Sequence, residues 1–554
     1  MDSIIQNIYQ VLQKKKIRVL FCFFLFAIYS IIFFSISNFS NFVPFFGDPI
    51  EYQSIGVNFA KGHGIQKFGG IENFSEYSFL ENVNKPENQF FVNTSITDFC
   101  SNKTNDFYRE PAYPFFLGII YKIFGVIPII VKYIQLILLI LIAALLPYIG
   151  YKFWNISGFL SGLFSSPLYI YYNFNFADGI MTEALTSFSI FFIICSYILY
   201  NHKKNTFSSI ILGLSFGIGL LVKGNLTLIP FIYFIYLIYS YLKKKDKIIL
   251  KHLQITAISF FITILPWTIY SNITLYRDIK TEKQKEINEL KNNKSLTISI
   301  KKNIISRLQN NNYRFFLVST QSQRLLLNGH NEYVPALTQN GQYIFPEGGW
   351  LPKWETIKES FYNNDKMQGK SSIKRVINFY KHYPHLIFKL IIDKVILSFS
   401  HFKFLWLIIL LYLLELYGII INNFTNKYIK LIYDKLLILL LFFGILGIIY
   451  IFPPDRNIIS IYKILTFIIF PAIIIKYFAK NNTMLLKIPP ILNIIFINFL
   501  LTSIIVFGFQ RFTQVMDFII LIVSFEYLIK FLNDKYFKFY FKQNRNNKKQ
   551  KAYD

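Results

Sequence analysis

The sequence is short of charge, of acids and of cysteine. Charged residues occupy 16% of its 554 positions, against about a quarter in a soluble domain. So little charge cannot clothe a water-facing surface, which excludes a soluble globular protein and a disordered chain. Acids are outnumbered by bases, 30 to 58, leaving a formal charge of +28. Such an excess invites a polyanionic partner. The lysines and arginines, however, cluster between apolar segments, as cytoplasmic loops do under the positive-inside rule, so no nucleic-acid partner is expected. The three cysteines, Cys22, Cys100 and Cys195, are too few and scattered for a disulfide framework or a thiolate metal site. A phosphate-cradling Gly-x-x-x-x-Gly-Lys loop, a dinucleotide fingerprint, a Gly-x-Ser-x-Gly elbow and a fixed-period repeat are all missing. His63, His330, His382 and His385 lack metal-ligand spacing. Chemistry fuelled by a cytosolic nucleotide has no support, and neither a metal nor a cofactor is expected.

What the chain has in quantity is apolar and aromatic residues, 53% and 19%, in runs long enough to cross a bilayer at about 20 residues each. The expected fold is an all-α polytopic membrane protein of about twelve transmembrane helices. Spans are expected at Ile17–Ser37 and near 128–150, 156–173, 179–200, 206–222, 225–242, 249–268, 401–421, 436–452, 457–478, 488–508 and 513–531. Ala112–Pro128 is apolar but short. If it does not cross, the lysine clusters at 152, 203–204, 243–245, 427–435, 476–487 and beyond 535 all fall on one side, so an interfacial helix is expected there. The chain then divides into a module at 1–270 with a first outer loop at 38–127, a large outer loop at 271–388, C-terminal helices at 389–532 and a basic cytoplasmic tail at 533–554. Interfacial helices are expected in the first outer loop and a mixed α/β fold in the second. That loop opens with an exposed helix, Lys280–Lys302, and carries strand-like pieces such as Phe315–Val318. Both termini are expected in the cytoplasm, with no cleavable signal peptide. The absence of a eukaryotic retention signal points to a bacterial plasma membrane.

Several charges stand where a membrane resists them. Asp48 follows the first span, and Glu51 lies one helical turn later, so the two carboxylates share a face. Asp48 before Pro49 also reads as a helix N-cap. Glu183 falls a turn inside an apolar run, which makes it a functional candidate by default; Asp178 reads equally as function or as helix-start acid. Lys223 sits at the outer end of a span, against the charge rule. It is read either as a phosphate ligand or as a snorkelling side chain. Arg109, Arg456 and Arg511 are further outer-end cations able to ring an anionic headgroup, although Asp455-Arg456 also reads as a local ion pair.

The ordered set Gly47-Asp48-Pro49-x-Glu51-Tyr52, Asn58–Gly64, Arg109-Glu110-Pro111-Ala112-Tyr113-Pro114, Met181-Thr182-Glu183, Leu221-Val222-Lys223, Leu265-Pro266-Trp267…Asn272 and Ser319…Leu327–Asn331 resembles the GT-C membrane glycosyltransferases. Within them it is similar to the dolichyl-phosphate-mannose protein mannosyltransferases and the aminoarabinose transferases. The resemblance implies an enzyme that transfers a sugar from a polyprenyl-phosphate donor to a lipid, glycan or protein acceptor at the outer membrane face. It implies Asp48 as the catalytic general base, Glu51, Asp178 and Glu183 as supporting acids, and Arg109, Lys223, Arg456 and Arg511 around the donor phosphate. Single displacement would invert the anomeric carbon. The sequence departs from the pattern at Pro49, at Glu110 in place of a commoner Pro, and at Lys223 in place of a commoner Arg. The competing readings are a flippase of lipid-linked sugars and a polymerase or ligase of lipid-linked glycans.

Overall fold

The structure is a computed structural model. It describes residues 10–41, 48–68, 103–105, 107–292, 316–319, 330, 372–388, 390–391, 394, 488–505 and 513–536. The spans expected at 401–421, 436–452 and 457–478, Arg456 and Arg511, and most of the second outer loop lie outside the described residues, and with them the count of twelve and that loop's mixed α/β fold.

The described chain is helical apart from one short strand pair. Helix α1 is Lys15–Ile36 and α2 is Asp48–Ala60. Strands β1, Gln66–Phe68, and β2, Lys103–Asn105, pair antiparallel with Gln66 opposite Asn105. Helices α3, Ala112–Phe124, and α4, Pro128–Asn173, come next. They are followed by α5, Glu183–Lys203, α6, Thr206–Val222, α7, Leu228–Lys244, and α8, Lys247–Asn292. After these come α9, Ser372–His382, α10, Pro490–Ile505, and α11, Asp517–Tyr536. Among the described residues, five helical stretches are long and apolar enough to cross a membrane by length and composition: Lys15–Ile36, Pro128–Phe176, Glu183–Lys203, Gly224–Lys244 and Lys247–Thr281. Large apolar side chains on α1, including Leu20, Phe23 and Ile31, stand exposed, as suits a lipid-facing surface.

Helix α4 folds back on itself, so the two spans expected at 128–150 and 156–173 are its two arms. Trp154 and Asn155 leave helical geometry, Asn155 with φ 60°. Beyond this break the arms pack antiparallel. Ser166 Oγ donates to Ala143 O at 2.6 Å, and a Cβ built on Gly150 or Gly158 would lie 1.9 Å from the other's carbonyl oxygen. Only glycine permits that approach. Helix α11 packs on this hairpin, and at the hairpin turn Ser157 and Ser161 each lie 2.8 Å from the Glu526 carboxylate.

The next turns are short. Helices α5 and α7 end in left-handed residues, Lys204 and Lys245, and Asn205 with Ser208 forms a reciprocal capping box at the start of α6. Helix α6 lies between α5 and α8, and α10 packs on α7. The segment expected to lie along the membrane is indeed a separate helix, α3, packed on α2. Tyr52 meets Tyr113 edge-to-face at 5.0 Å, and Tyr121 donates to Gln53.

Helix α8 runs through Ser271, where the second outer loop was expected to begin, and continues to Asn292 without interruption. The described part of Phe315–Val318 is a correction to the strand-like reading, being a bend over residues 316–319. It docks on α8 through side chains that imitate a strand partner. Trp267 Nε1 donates to Val318 O at 2.7 Å, Thr268 Oγ1 to Leu317 O at 2.6 Å, and Asn272 Nδ2 to Phe316 O at 2.8 Å. Asn272 Oδ1 accepts from the Phe316 N–H at 3.1 Å. The helix satisfies these backbone groups, so no second strand is needed.

Candidate active site

Helix α2 carries Asp48 and Glu51 three residues apart in its first turn, so both face the same way. Between them sits the Arg109 guanidinium. Its Nη2 donates to Asp48 Oδ1 and its Nε to Glu51 Oε2, both at 2.6 Å. The arginine is 5% exposed, and the two acids keep 23% and 21%. Two short charge-assisted bonds from a rigid fork fix both carboxylates. Burial disfavours the Arg109 charge, but Tyr52, Asp48 and Glu51 outweigh it and hold the guanidinium well above its usual range. Two nitrogens of the arginine expected at the donor phosphate are thus bonded to the acids expected as base and supporting acid.

The chain turns the next side chain elsewhere. Glu110 is 4% exposed. Its Oε1 accepts from the Gly224 N–H at 3.0 Å and from Ser319 Oγ at 3.3 Å. One oxygen therefore ties the start of α3 to the α6–α7 turn and to the segment docked on α8. A Cβ at Gly224 would stand 2.7 Å from that oxygen, so the contact depends on glycine.

Lys223, the residue before it, is 9% exposed, and its Nζ donates to Thr182 Oγ1 at 2.8 Å. It reaches inward. Thr182 precedes Glu183, which is 3% exposed in the first turn of α5. The 177–182 segment is held from α4. Gln135 Nε2 donates to Ala177 O and Gly179 O at 3.1 and 2.7 Å, while Gln135 Oε1 accepts from Tyr113 Oη at 2.8 Å. Lys132 pairs with Asp178 at 2.9 Å, the lysine buried and the aspartate 60% exposed.

Tyr52 stands among these groups, 1% exposed. Burial pushes its hydroxyl well above the tyrosine range; Arg109 opposes this, and the charges of Glu110, Asp48 and Glu183 add to it. The structure therefore brings Asp48, Glu51, Arg109, Glu183 and Lys223 to one end of the bundle. Asp178 sits at the margin. Sequence reasoning named Tyr52 and Glu110 only as members of motifs, without a role, and did not name Lys132 or Gln135. Lys132 and Gln135 had a usable signal, being polar residues inside an apolar run. Among the described residues, no three His, Cys, Asp or Glu side chains form a group able to hold a metal ion.

The model of the dolichyl-phosphate-mannose-protein mannosyltransferase family matches residues 109–270. The match supports a membrane glycosyltransferase of the GT-C type. The matched stretch begins at Arg109 and takes in Glu110, Asp178, Glu183, Lys223 and Trp267, while Asp48 and Glu51 precede it. No curated protein and no solved structure matches the chain.

Proposed function

We propose that the protein transfers a sugar from a polyprenyl-phosphate donor to an acceptor at the outer face of a membrane, with inversion at the anomeric carbon. The observation that carries this reading is the Arg109 fork between Asp48 and Glu51, beside Lys223 and Glu183, in a chain whose family model is named for a dolichyl-phosphate sugar.

Asp48 is the general base. Arg109 grips Oδ1 and sets the plane of the carboxylate, so the base meets the acceptor in one orientation. The acceptor hydroxyl or amine attacks the anomeric carbon and its proton passes to Asp48. The bond from that carbon to the phosphate oxygen breaks, and its electrons leave with the polyprenyl phosphate. Lys223 lies on the leaving side. Its Nζ donates to the Thr182 hydroxyl, and a phosphate oxygen is a stronger acceptor for an ammonium than a hydroxyl is. Arg456 and Arg511, which the sequence sets at outer helix ends, complete the cationic grip and stabilise the developing phosphate charge. Glu51 and Glu183 keep the two cations oriented, and Asp178 with Lys132 anchors the loop before Glu183. The segment docked on α8 belongs to a cover that excludes water from the donor. The lysines at 203–204 and 243–245, at the end of the bundle remote from the site, support a cytoplasmic location for that end and an outside location for the site.

The test is transfer by the purified protein in nanodiscs, followed with radiolabelled polyprenyl-phosphate sugars. Asp48→Asn is expected to lower transfer by about 10²–10⁴-fold while donor binding persists. Near-normal turnover in that variant removes Asp48 from the mechanism.

A further inference from the structure

Among the described residues, the site holds buried polar atoms without a hydrogen-bond partner. Glu110 spends only Oε1 on structure; among the described residues its Oε2 is buried with no hydrogen-bond partner. The Tyr52 hydroxyl is likewise buried and unpartnered. So are both amide atoms of Asn225, the residue after the glycine whose N–H Glu110 holds. An orphaned buried polar atom costs about 1–3 kcal/mol, and three such side chains, Glu110 and Asn225 at the α6–α7 turn and Tyr52 near enough to feel the Glu110 charge, are a concentrated cost. Folding does not require it: phenylalanine for Tyr52 would keep the edge-to-face packing on Tyr113, which involves only the ring. The orphaned atoms are also complementary, since a phenol donates, an ionised carboxylate accepts, and an amide does both. Lys223, two residues before Asn225, lies on the phosphate side in the proposed reaction.

We propose that Tyr52, Glu110 and Asn225 form the subsite that recognises the hydroxyls of the donor's sugar ring, with Glu110 as its specificity-determining residue. This rests on the transferase reading and deepens it. An ionised Glu110 Oε2 repels a phosphate and accepts from a hydroxyl, so the subsite grips the sugar while Lys223 grips the phosphate. A ring whose hydroxyl is absent or inverted at that point leaves Oε2 unpaired again. That loss is how a buried polar site rejects the wrong substrate. Because Oε1 already bridges Gly224 and Ser319, the carboxylate cannot swing to follow a misplaced hydroxyl.

The experiment measures binding to protein in nanodiscs of dolichyl phosphate and of its mannosyl, glucosyl and galactosyl derivatives, alongside thermal stability. Wild type is expected to prefer one sugar-bearing lipid over the bare lipid. Glu110→Gln should cut that preference about 10- to 100-fold, and Tyr52→Phe about 3- to 10-fold, in proportion to a charged and a neutral hydrogen bond. Bare-lipid affinity should be unchanged in both. Tyr52→Phe should melt no lower than wild type, since the hydroxyl it removes has no partner; this variant keeps the test valid if Glu110→Gln folds poorly. The inference is overturned if both variants retain the sugar preference, if they lose bare and sugar-bearing lipid equally, or if wild type shows no sugar preference. A wild type that binds neither kind of lipid instead overturns the transferase reading on which the inference stands.

Discussion

Replacing Arg109 with lysine separates charge from geometry. Both side chains are cationic, yet Asp48 and Glu51 are held by two different nitrogens of one planar group, each at 2.6 Å. A single ammonium on a flexible stem meets one carboxylate well and loses the other. The loss is one charge-assisted hydrogen bond, about 1.5–3 kcal/mol. The guanidinium carbon also lies 5.0 and 5.1 Å from the ring centroids of Tyr52 and Tyr108, and a lysine keeps part of that attraction. Arg109→Lys should therefore melt lower in detergent and lose about 10- to 150-fold in kcat/KM, the same energy read as a rate. Arg109→Met removes the charge as well. It leaves two partly buried carboxylates facing each other and should cost about 3–5 kcal/mol. Differential scanning fluorimetry and the transfer assay give the two readouts. A lysine variant with wild-type melting and wild-type kcat/KM would refute the claim that the fork orients Asp48.

Two further outcomes follow from groups away from the chemistry. Asn272→Leu strips both hydrogen bonds from the Phe316 backbone, so hydrogen exchange at the Phe316 amide should speed up by at least tenfold, while unchanged protection would disprove the docking. His330 touches Tyr380, Lys394 and the Ile505 carbonyl, and burial, with Lys394 adding to it, pushes its pKa down to about 3. An unfolded histidine takes up a proton near pH 6.5 and the folded one does not. Stability is therefore unaffected above about pH 6.5 and falls below it, by about 2 kcal/mol at pH 5; melting that is flat with pH from 7 to 5, or equally steep in His330→Asn, would count against this.

Much of the helical frame was legible because bilayer crossings leave a blunt signal. Apolar runs punctuated by Lys203-Lys204 and Lys243-Lys244-Lys245 gave α5, α7 and the start of α8. The gap between the apolar runs 128–150 and 156–173, with Lys152 in it, marked the break that turns α4 back on itself. Lys223 and Glu183 stood out as charges against the local grain. The closure of the site did not show. Glu110 reaches Gly224 across 114 positions and Ser319 across 209, and contacts so distant leave no periodicity. Phe315–Val318 had the composition of a strand, yet its partner is a row of side chains on a helix, which propensity cannot register. Arg109 was legible as functional, but the sequence could not say whether its charge goes to a phosphate or to the acids one helical turn apart on α2.

Helix α8, at 1.5 Å per residue, is about 69 Å long, more than twice the hydrocarbon thickness of about 30 Å. Phe316–Ser319 fastens at Trp267–Asn272, about 30 Å back along the axis from Asn292. Among the described residues the helix thus runs on well past the point where Phe316–Ser319 is tied to it. Through Trp267, Thr268 and Asn272 one helix fixes the backbone just before Ser319, and Ser319 in turn fixes one oxygen of Glu110, so a single strut sets the position of a buried acid that lies more than 150 residues earlier in the chain.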